Sequence, residues 1–266
     1  MPVLNVPGAR LRYDVCGEGA PLVFVHGAGA NATVFFQQVM HFSASWRVIC
    51  PDMRGFGGSS CDAASFHPRQ FSEDLARLLD HEVRDGADGT KAAVVCQSMG
   101  AWAGLPLAVR EPERFAALVL SGSPTPAYGP HHKVLQVVSE RFARVFAGEK
   151  VAPQDLGFSE RFVRERPDLI ALYQMLSRMN QRVDLSTITD PALRLMPEDF
   201  AGYRVPTLVM GGRQNGLLGG ETHLAAAHCI PGAQTYTFED SGHSSYFEEP
   251  EHYNRVLQAF LAAHGH

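Results

Sequence analysis

Long apolar runs are missing from this chain. Its longest uninterrupted stretches, such as PLVFVH (21–26) and FAALVLS (115–121), fall far short of the ~20 residues that a membrane span requires. Positive charge is in deficit: 23 Lys and Arg stand against 28 Asp and Glu, a formal charge of -5. The basic residues form no stripe, so neither nucleic acid nor a membrane is expected as a partner. Cysteine is sparse and odd in number, with Cys16, Cys50, Cys61, Cys96 and Cys229 scattered without metal-ligand spacing. Three lie in or beside apolar strands, which reads as reduced thiols in a cytoplasm rather than a disulfide framework. The opening MPVLNVPGARLRYDVCG has neither the basic start nor the apolar block of a secretion signal, and a cytoplasmic location is expected. HGAGAN (26–31) lacks the glycine spacing of a dinucleotide loop. The histidines, including His131 and His132, show no ligand spacing, and no metal is expected.

What the chain does contain is a rhythm of strands and helices. Six short runs read as buried parallel strands: 21–26, 46–50, 92–96, 115–121, 206–211 and 234–239. They are too short for buried helices and break off at Gly, Pro, Asp or Ser. Between them lie helical patterns, one with Phe71, Leu75, Leu78 and Leu79 on a face, and a last one with Tyr253, Val256, Leu257, Phe260 and Leu261. This alternation predicts an α/β fold with a mostly parallel sheet and helices on both faces. Residues 3–15 are expected to pair as an antiparallel hairpin at the sheet edge. Between Ser121 and Pro206 only helical patterns occur, at 131–148 and 166–183. A structureless loop of that length is implausible in a compact domain, so an insertion of about four helices is expected there. It would span 125–204 and divide a core formed by 1–124 and 205–266. The 266 residues suffice for one sizeable core.

The sharpest signal is VVCQSMGAWAG (94–104). A strand runs into Ser98 and a helix starts immediately behind it. A nucleophile on such a strained turn stands out of the sheet over the helix amino terminus. Crowding demands small residues two before and two after. Gly100 is one, and Cys96 stands where glycine is usual. The helix end supplies N–H groups and a positive dipole, useful where a carbonyl oxygen becomes negative. A serine that merely caps a helix is the plainer alternative. The loop His26-Gly27-Ala28-Gly29 follows another strand and either brings a backbone N–H to a substrate or is only a tight turn. His243 follows the last strand, on the same sheet end as Ser98 if the strands are parallel, which is where open α/β sheets place their sites.

Taken in order, HGAG (26–29), PDMRGFGGSS (51–60), CQSMGAWAG (96–104), REPERFAALVLSG (110–122) and GHSSYFEEPEHYN (242–254) resemble the successive landmarks of the α/β-hydrolase superfamily. The resemblance spans the chain apart from 125–204, which corresponds to that family's variable helical cap. It implies the α/β-hydrolase fold, Ser98 as nucleophile, and His243 as general base and later acid. It further implies an oxyanion hole from the N–H groups of Ala28 and Met99, with no cofactor. Asp52 and Arg54 belong to a landmark whose role is structural and are given no chemistry.

One landmark departs from the family. The acid that orients the histidine ordinarily follows the strand after the cap. In VMGGRQNGLLGG (209–220), counting from Gly212 lands on Asn215. The other family location, LSGSPTP (120–126), offers only Ser121 and Ser123. Asp240 is near His243 in sequence but poorly directed by a strand running into that loop. The Asn215 amide oxygen is expected to accept from the imidazole Nδ1–H and hold the ring, yet it brings no charge to an imidazolium. In a serine-protease triad, loss of that acid costs about 10⁴ in rate. Three readings stay open: an enzyme for activated substrates using Ser98, His243 and Asn215; a chain whose acid has been replaced; or a protein that has left hydrolysis for binding or other chemistry.

A pocket over Ser98 is expected under the insertion. Tyr128, Phe142, Phe146, Leu172, Met175, Leu176 and Met179 either face it or pack cap on core. His26, Gly27, Leu217 and Leu218 are expected to line the same space. The expected small-molecule substrate is a small to medium, apolar carboxylic ester or lactone. A diketone-type ring-fission product cleaved at a carbon–carbon bond is the catalytic alternative, and a receptor with a weakened triad the non-catalytic one.

Overall fold

The opening segment pairs with itself: β1 (Val3–Val6) and β2 (Ala9–Cys16) form an antiparallel hairpin at the sheet edge. The computed structural model describes residues 1–83, 90–149, 152–153, 157–181 and 183–264. In chain order there follow β3 (Pro21–Val25), α1 (Phe36–Phe42), β4 (Arg47–Pro51), β5 (Ser60–Cys61), α2 (Arg69–Glu82), β6 (Ala92–Gln97), α3 (Ala101–Arg110) and β7 (Phe115–Ser121). Then come α4 (Val134–Phe146), α5 (Glu160–Glu165), α6 (Pro167–Ser177), β8 (Thr207–Gly212), α7 (Thr222–Ala227), β9 (Gln234–Phe238), α8 (Ser245–Glu248) and α9 (Pro250–Ala263). The strands form one sheet in the order β1-β2-β4-β3-β6-β7-β8-β9, with β5 against β2. From β4 to β9 every pairing is parallel.

β3, β6 and β8 are buried at every position, because side chains of both parities meet a helical layer. Val23, Val25, Val94, Cys96, Leu118 and Leu120 join Leu75, Leu79 and Leu105 of α2 and α3 in one cluster. Their neighbours Leu22, Phe24, Ala93, Val95, Ala117 and Val119 join Phe42 of α1 and Leu257 and Leu261 of α9 in the other. The period of two divides the sheet between two cores.

Between β7 and β8 there is no named strand among the described residues. The segment carries α4, α5 and α6, and short 3-10 turns at Leu185–Thr189, Pro191–Leu193 and Pro197–Phe200. Part of what reads as helix in the sequence is thus 3-10, where prolines and Asp184 and Asp190 caps start new turns. Among the described residues no helix is long and apolar enough to cross a membrane.

The register decides where chemistry can gather. Val25 lies opposite Cys96, Gln97 opposite Ser121, Ser121 opposite Met210, and Gly212 opposite Phe238. The carboxyl ends of β3, β6, β7, β8 and β9 therefore come level, and the loops after them share one edge.

Candidate active site at the strand ends

At the end of β6 the chain must leave the sheet and begin a helix without a spacer. Ser98 does so at φ +48°, in the left-handed region that a side chain disfavours. Two glycines let the neighbouring loop close on this elbow. A Cβ at Gly27 would lie 2.8 Å from Ser98 Cβ, and one at Gly100 2.6 Å from the Val25 carbonyl oxygen. The unusual Cys96 is accommodated one helical turn later, where a Cβ at Gly104 would overlap its Sγ. Ala28 is half-buried just after Gly27, and Met99 is buried just after Ser98.

His26 does not line a substrate space. It has no exposed surface, and its Nε2 accepts from the Met53 N–H at 2.9 Å. Nδ1 therefore carries the proton and donates to the Gly27 carbonyl oxygen at 2.8 Å. Burial holds the ring's pKa below its ordinary value, so it is a neutral strut fixing the loop at Gly27. Asp52 is equally structural: one oxygen accepts from the Ala32 N–H and the other from the Gly58 N–H, both at 2.8 Å. Buried Arg54 is paired with Asp74 through two hydrogen bonds of 2.7 and 2.6 Å.

His243 lies in the loop after β9 and is 7% exposed. That loop is stitched to the one after β8 by the Gln214 N–H donating to Ser241 O at 3.0 Å, and the Arg213 N–H donates to Phe238 O at the end of β9 at 2.8 Å. On its other side the His243 N–H donates to Gly157 O at 2.6 Å. Glu248 clamps the same junction, accepting from the Gly242 N–H at 3.1 Å and the Ser159 N–H at 3.0 Å. Sequence reasoning missed Glu248. Its signal was a carboxylate at the end of the short helix that follows the histidine.

The residue facing the imidazole is Asn215, but not in the expected sense. Its Nδ2 lies 3.2 Å from His243 Nδ1. Its Oδ1 is taken by the N–H groups of Leu217 and Leu218, at 3.2 and 3.1 Å. The reverse orientation would set the NH₂ group against two N–H donors, so the local turn fixes the amide. Nδ1 is then an acceptor, and the neutral ring carries its proton on Nε2. Burial pushes the His243 pKa down to about 4, and among the described residues no carboxylate pairs with the ring to oppose it. The other family location is also beside the ring, since a Cβ at Gly122 would lie 3.5 Å from Nδ1. Ser123 there accepts from the Thr125 N–H, and Asp240 is exposed.

The residues expected in a pocket wall differ widely in exposure. Met175 and Met179 are 61% and 57% exposed. Tyr128 is 39% exposed, its ring covered by the Arg194 guanidinium at 4.7 Å. Leu172 and Leu176 are half-buried, and the Phe146 side chain lies outside the described residues. Phe142 reaches the β3 loop, 3.2 Å from a Cβ at Gly29. Leu217 is buried beside His243, and a Cβ at Gly157 would lie 3.1 Å from its Cβ. Gln97, next to Ser98, is buried and its Nε2 finds no partner among the described residues.

Comparison with known proteins agrees with this architecture. The family described as the alpha/beta hydrolase fold matches residues 20–250. The 2-hydroxymuconate semialdehyde hydrolase of Pseudomonas sp. (strain CF600) is 28% identical, over 96% of this chain and 91% of its own length. The pimeloyl-[acyl-carrier protein] methyl ester esterase of Vibrio cholerae is 28% identical, over 94% and 97%. Among solved structures, a thermophilic esterase from Thermogutta terrifontis aligns with a TM-score of 0.76 at 25% identity, covering 99% of this chain and 97% of that one.

Proposed function

The chain belongs to the alpha/beta hydrolase fold family and is a hydrolase, and we propose that it cleaves a small to medium, apolar, activated carboxylic ester or lactone. In this reading Ser98 Oγ attacks the carbonyl carbon and gives its proton to His243 Nε2. The N–H groups of Ala28 and Met99 receive the oxyanion. The leaving group departs with the proton from His243, and water then releases the acid from Ser98. Residues 125–204 act as the cap over a core of 1–124 and 205–266. No cofactor or metal takes part, and the enzyme works in the cytoplasm.

The observation that carries this reading is the φ of +48° at Ser98, a strained position held against Gly27 and Gly100. The demand for an activated substrate comes from Asn215. To accept the serine proton, His243 must free Nε2 and move its own proton to Nδ1, against the Asn215 amide N–H. An imidazolium meets the same donor-on-donor contact. A good leaving group makes an early transition state with less charge on the ring.

That contact also favours a second reading, a ligand-binding protein with slow turnover. Similarity to the semialdehyde hydrolase supports adding a ring-fission product to the substrates compared. Treatment with a fluorophosphonate followed by peptide mapping tests the nucleophile, and turnover of 4-nitrophenyl acetate, a lactone and a ring-fission product sorts the substrate. Label on Ser98 with steady ester turnover is the expected result. Label elsewhere, or none, removes Ser98 as nucleophile; binding of these compounds without turnover selects the second reading.

A further inference from the structure

A cavity of about 230 Å³ lies between α3 and the segments 126–136 and 188–194, and neither Ser98 nor His243 lines it. Its floor is apolar and buried: Trp102, Pro126 and Leu135. Its mouth carries Arg194, which is exposed. The size is informative, because an apolar cavity of ~150 Å³ accepts benzene. This one has room for a single ring with a substituent.

Among the described residues that line the cavity, the charges leave one cation available. Among the described residues no ion pair engages Arg194, whose guanidinium rests on the Tyr128 ring. Asp190, a carboxylate lining the cavity, is occupied elsewhere. One oxygen accepts from the Ala192 N–H at 2.9 Å, and the other lies 3.5 Å from His67 Nε2 and 3.9 Å from Arg69 Nη2. His132 on the wall is neutral: burial, His131 and Arg194 push its pKa down to about 4. Its Nε2–H donates to Thr125 O at 2.9 Å. Nearby, Glu140 on α4 is held by the Gln136 amide at 2.7 Å.

The wall itself is held under strain. Thr125, next to Pro126, sits at φ +55°, an outlier for a β-branched residue. Its loop is pinned by both His131, which donates to Pro124 O at 2.8 Å, and His132. Strain sustained by such pins concentrates at ligand sites.

We propose that this cavity is a second ligand site that takes a small aromatic monocarboxylate, its ring on Trp102 and its carboxylate on Arg194. A guanidinium matches a carboxylate with two parallel N–H bonds, and an indole offers the ring a broad apolar face. This site does not depend on the nucleophile assignment, since occupancy requires no turnover.

Calorimetric titration of the full chain with benzoate, and with benzyl alcohol as its uncharged counterpart, tests the proposal. Saturable benzoate binding is expected, at least tenfold tighter in wild type than in Arg194→Met. Benzyl alcohol should not distinguish the two proteins, and Ser98→Ala should leave benzoate binding unchanged. Because the chain has two tryptophans, Trp46 and Trp102, quenching of emission in Trp46→Phe reports the ring at Trp102 directly. Equal benzoate affinity in Arg194→Met, absence of saturable binding up to about 10 mM, or loss of binding when Ser98 is covalently blocked would each overturn the proposal. The last outcome would make the cavity part of the reaction site, while a failure to label Ser98 leaves the benzoate result standing.

Discussion

The amide nitrogen of Asn215 faces Nδ1 of His243 at 3.2 Å, while the amide oxygen faces two backbone N–H groups. A side chain of nearly the same shape as aspartate thus reverses the direction of the hydrogen bond to the ring. The histidine is held as an Nε2–H donor, the tautomer that cannot accept a proton from serine.

Asn215→Asp should reverse this. One carboxylate oxygen inherits the Leu217 and Leu218 N–H groups, so the new charge has donors waiting, and the other accepts from Nδ1–H. The ring's pKa should rise from about 4, and kcat/KM on simple esters should increase between about tenfold and 10⁴-fold. The acidic limb of the pH–rate profile should move to higher pH. An unchanged rate and profile in a folded variant would mean that residue 215 does not govern the ring.

His243 also couples stability to pH. Its pKa is about 4 in the fold and ordinarily near 6.5. Above that higher value both states are uncharged and the ring has no effect. As pH falls from there towards 4, the unfolded chain takes up a proton that the folded ring refuses, so stability declines by at most about 1.4 kcal/mol per pH unit. Below the folded pKa the decline from this group ends. Urea midpoints at pH 7 and pH 5 for wild type and His243→Gln measure it, and the variant should lose less stability on acidification. Equal losses would place the buried ring outside this linkage.

Ser98 offers a contrast between activity and strain. Ser98→Ala should abolish ester turnover with stability almost unchanged, because alanine meets the same left-handed penalty. Ser98→Gly should be as inactive yet about 1 kcal/mol more stable. Denaturant midpoints of the two variants decide this. Residual activity above about a hundredth of wild type in either would contradict a covalent route through this serine.

The pair Cys96 and Gly104 predicts its own rescue. Gly104→Ala pushes a methyl into the Cys96 sulfur and should cost about 1–3 kcal/mol. Cys96→Gly, the residue more usual before such an elbow, should recover most of that loss in the double variant. A purely additive cycle would show that the two sites do not share this space.

The sheet was legible because parallel strands covered on both faces are continuous apolar runs, and β3, β6, β7 and β8 lie within a residue of where those runs fall. α1 and α7, of seven and six residues, are too short to display an apolar period. The position of Asn215 could be counted from Gly212, whereas the direction of its amide could not. That direction is set by backbone N–H groups in a turn whose geometry leaves no mark on residue type. His26 was misread for a related reason: Met53, from the loop after another strand, claims its Nε2. The exposed Met175 and Met179 show how a helical stripe reveals a face without revealing what it meets.

The junction of Gly157, Ser159, His243 and Glu248 imposes a mechanical condition. The Gly157–Ser159 backbone cannot lift from the strand ends without breaking the His243–Gly157 and Ser159–Glu248 hydrogen bonds. If 125–204 acts as the proposed cap, a lift of Gly157–Ser159 to admit substrate carries the imidazole along. The histidine and this piece of the proposed cap share one latch, and a ligand that displaces Gly157–Ser159 would disarm the ring in the same movement.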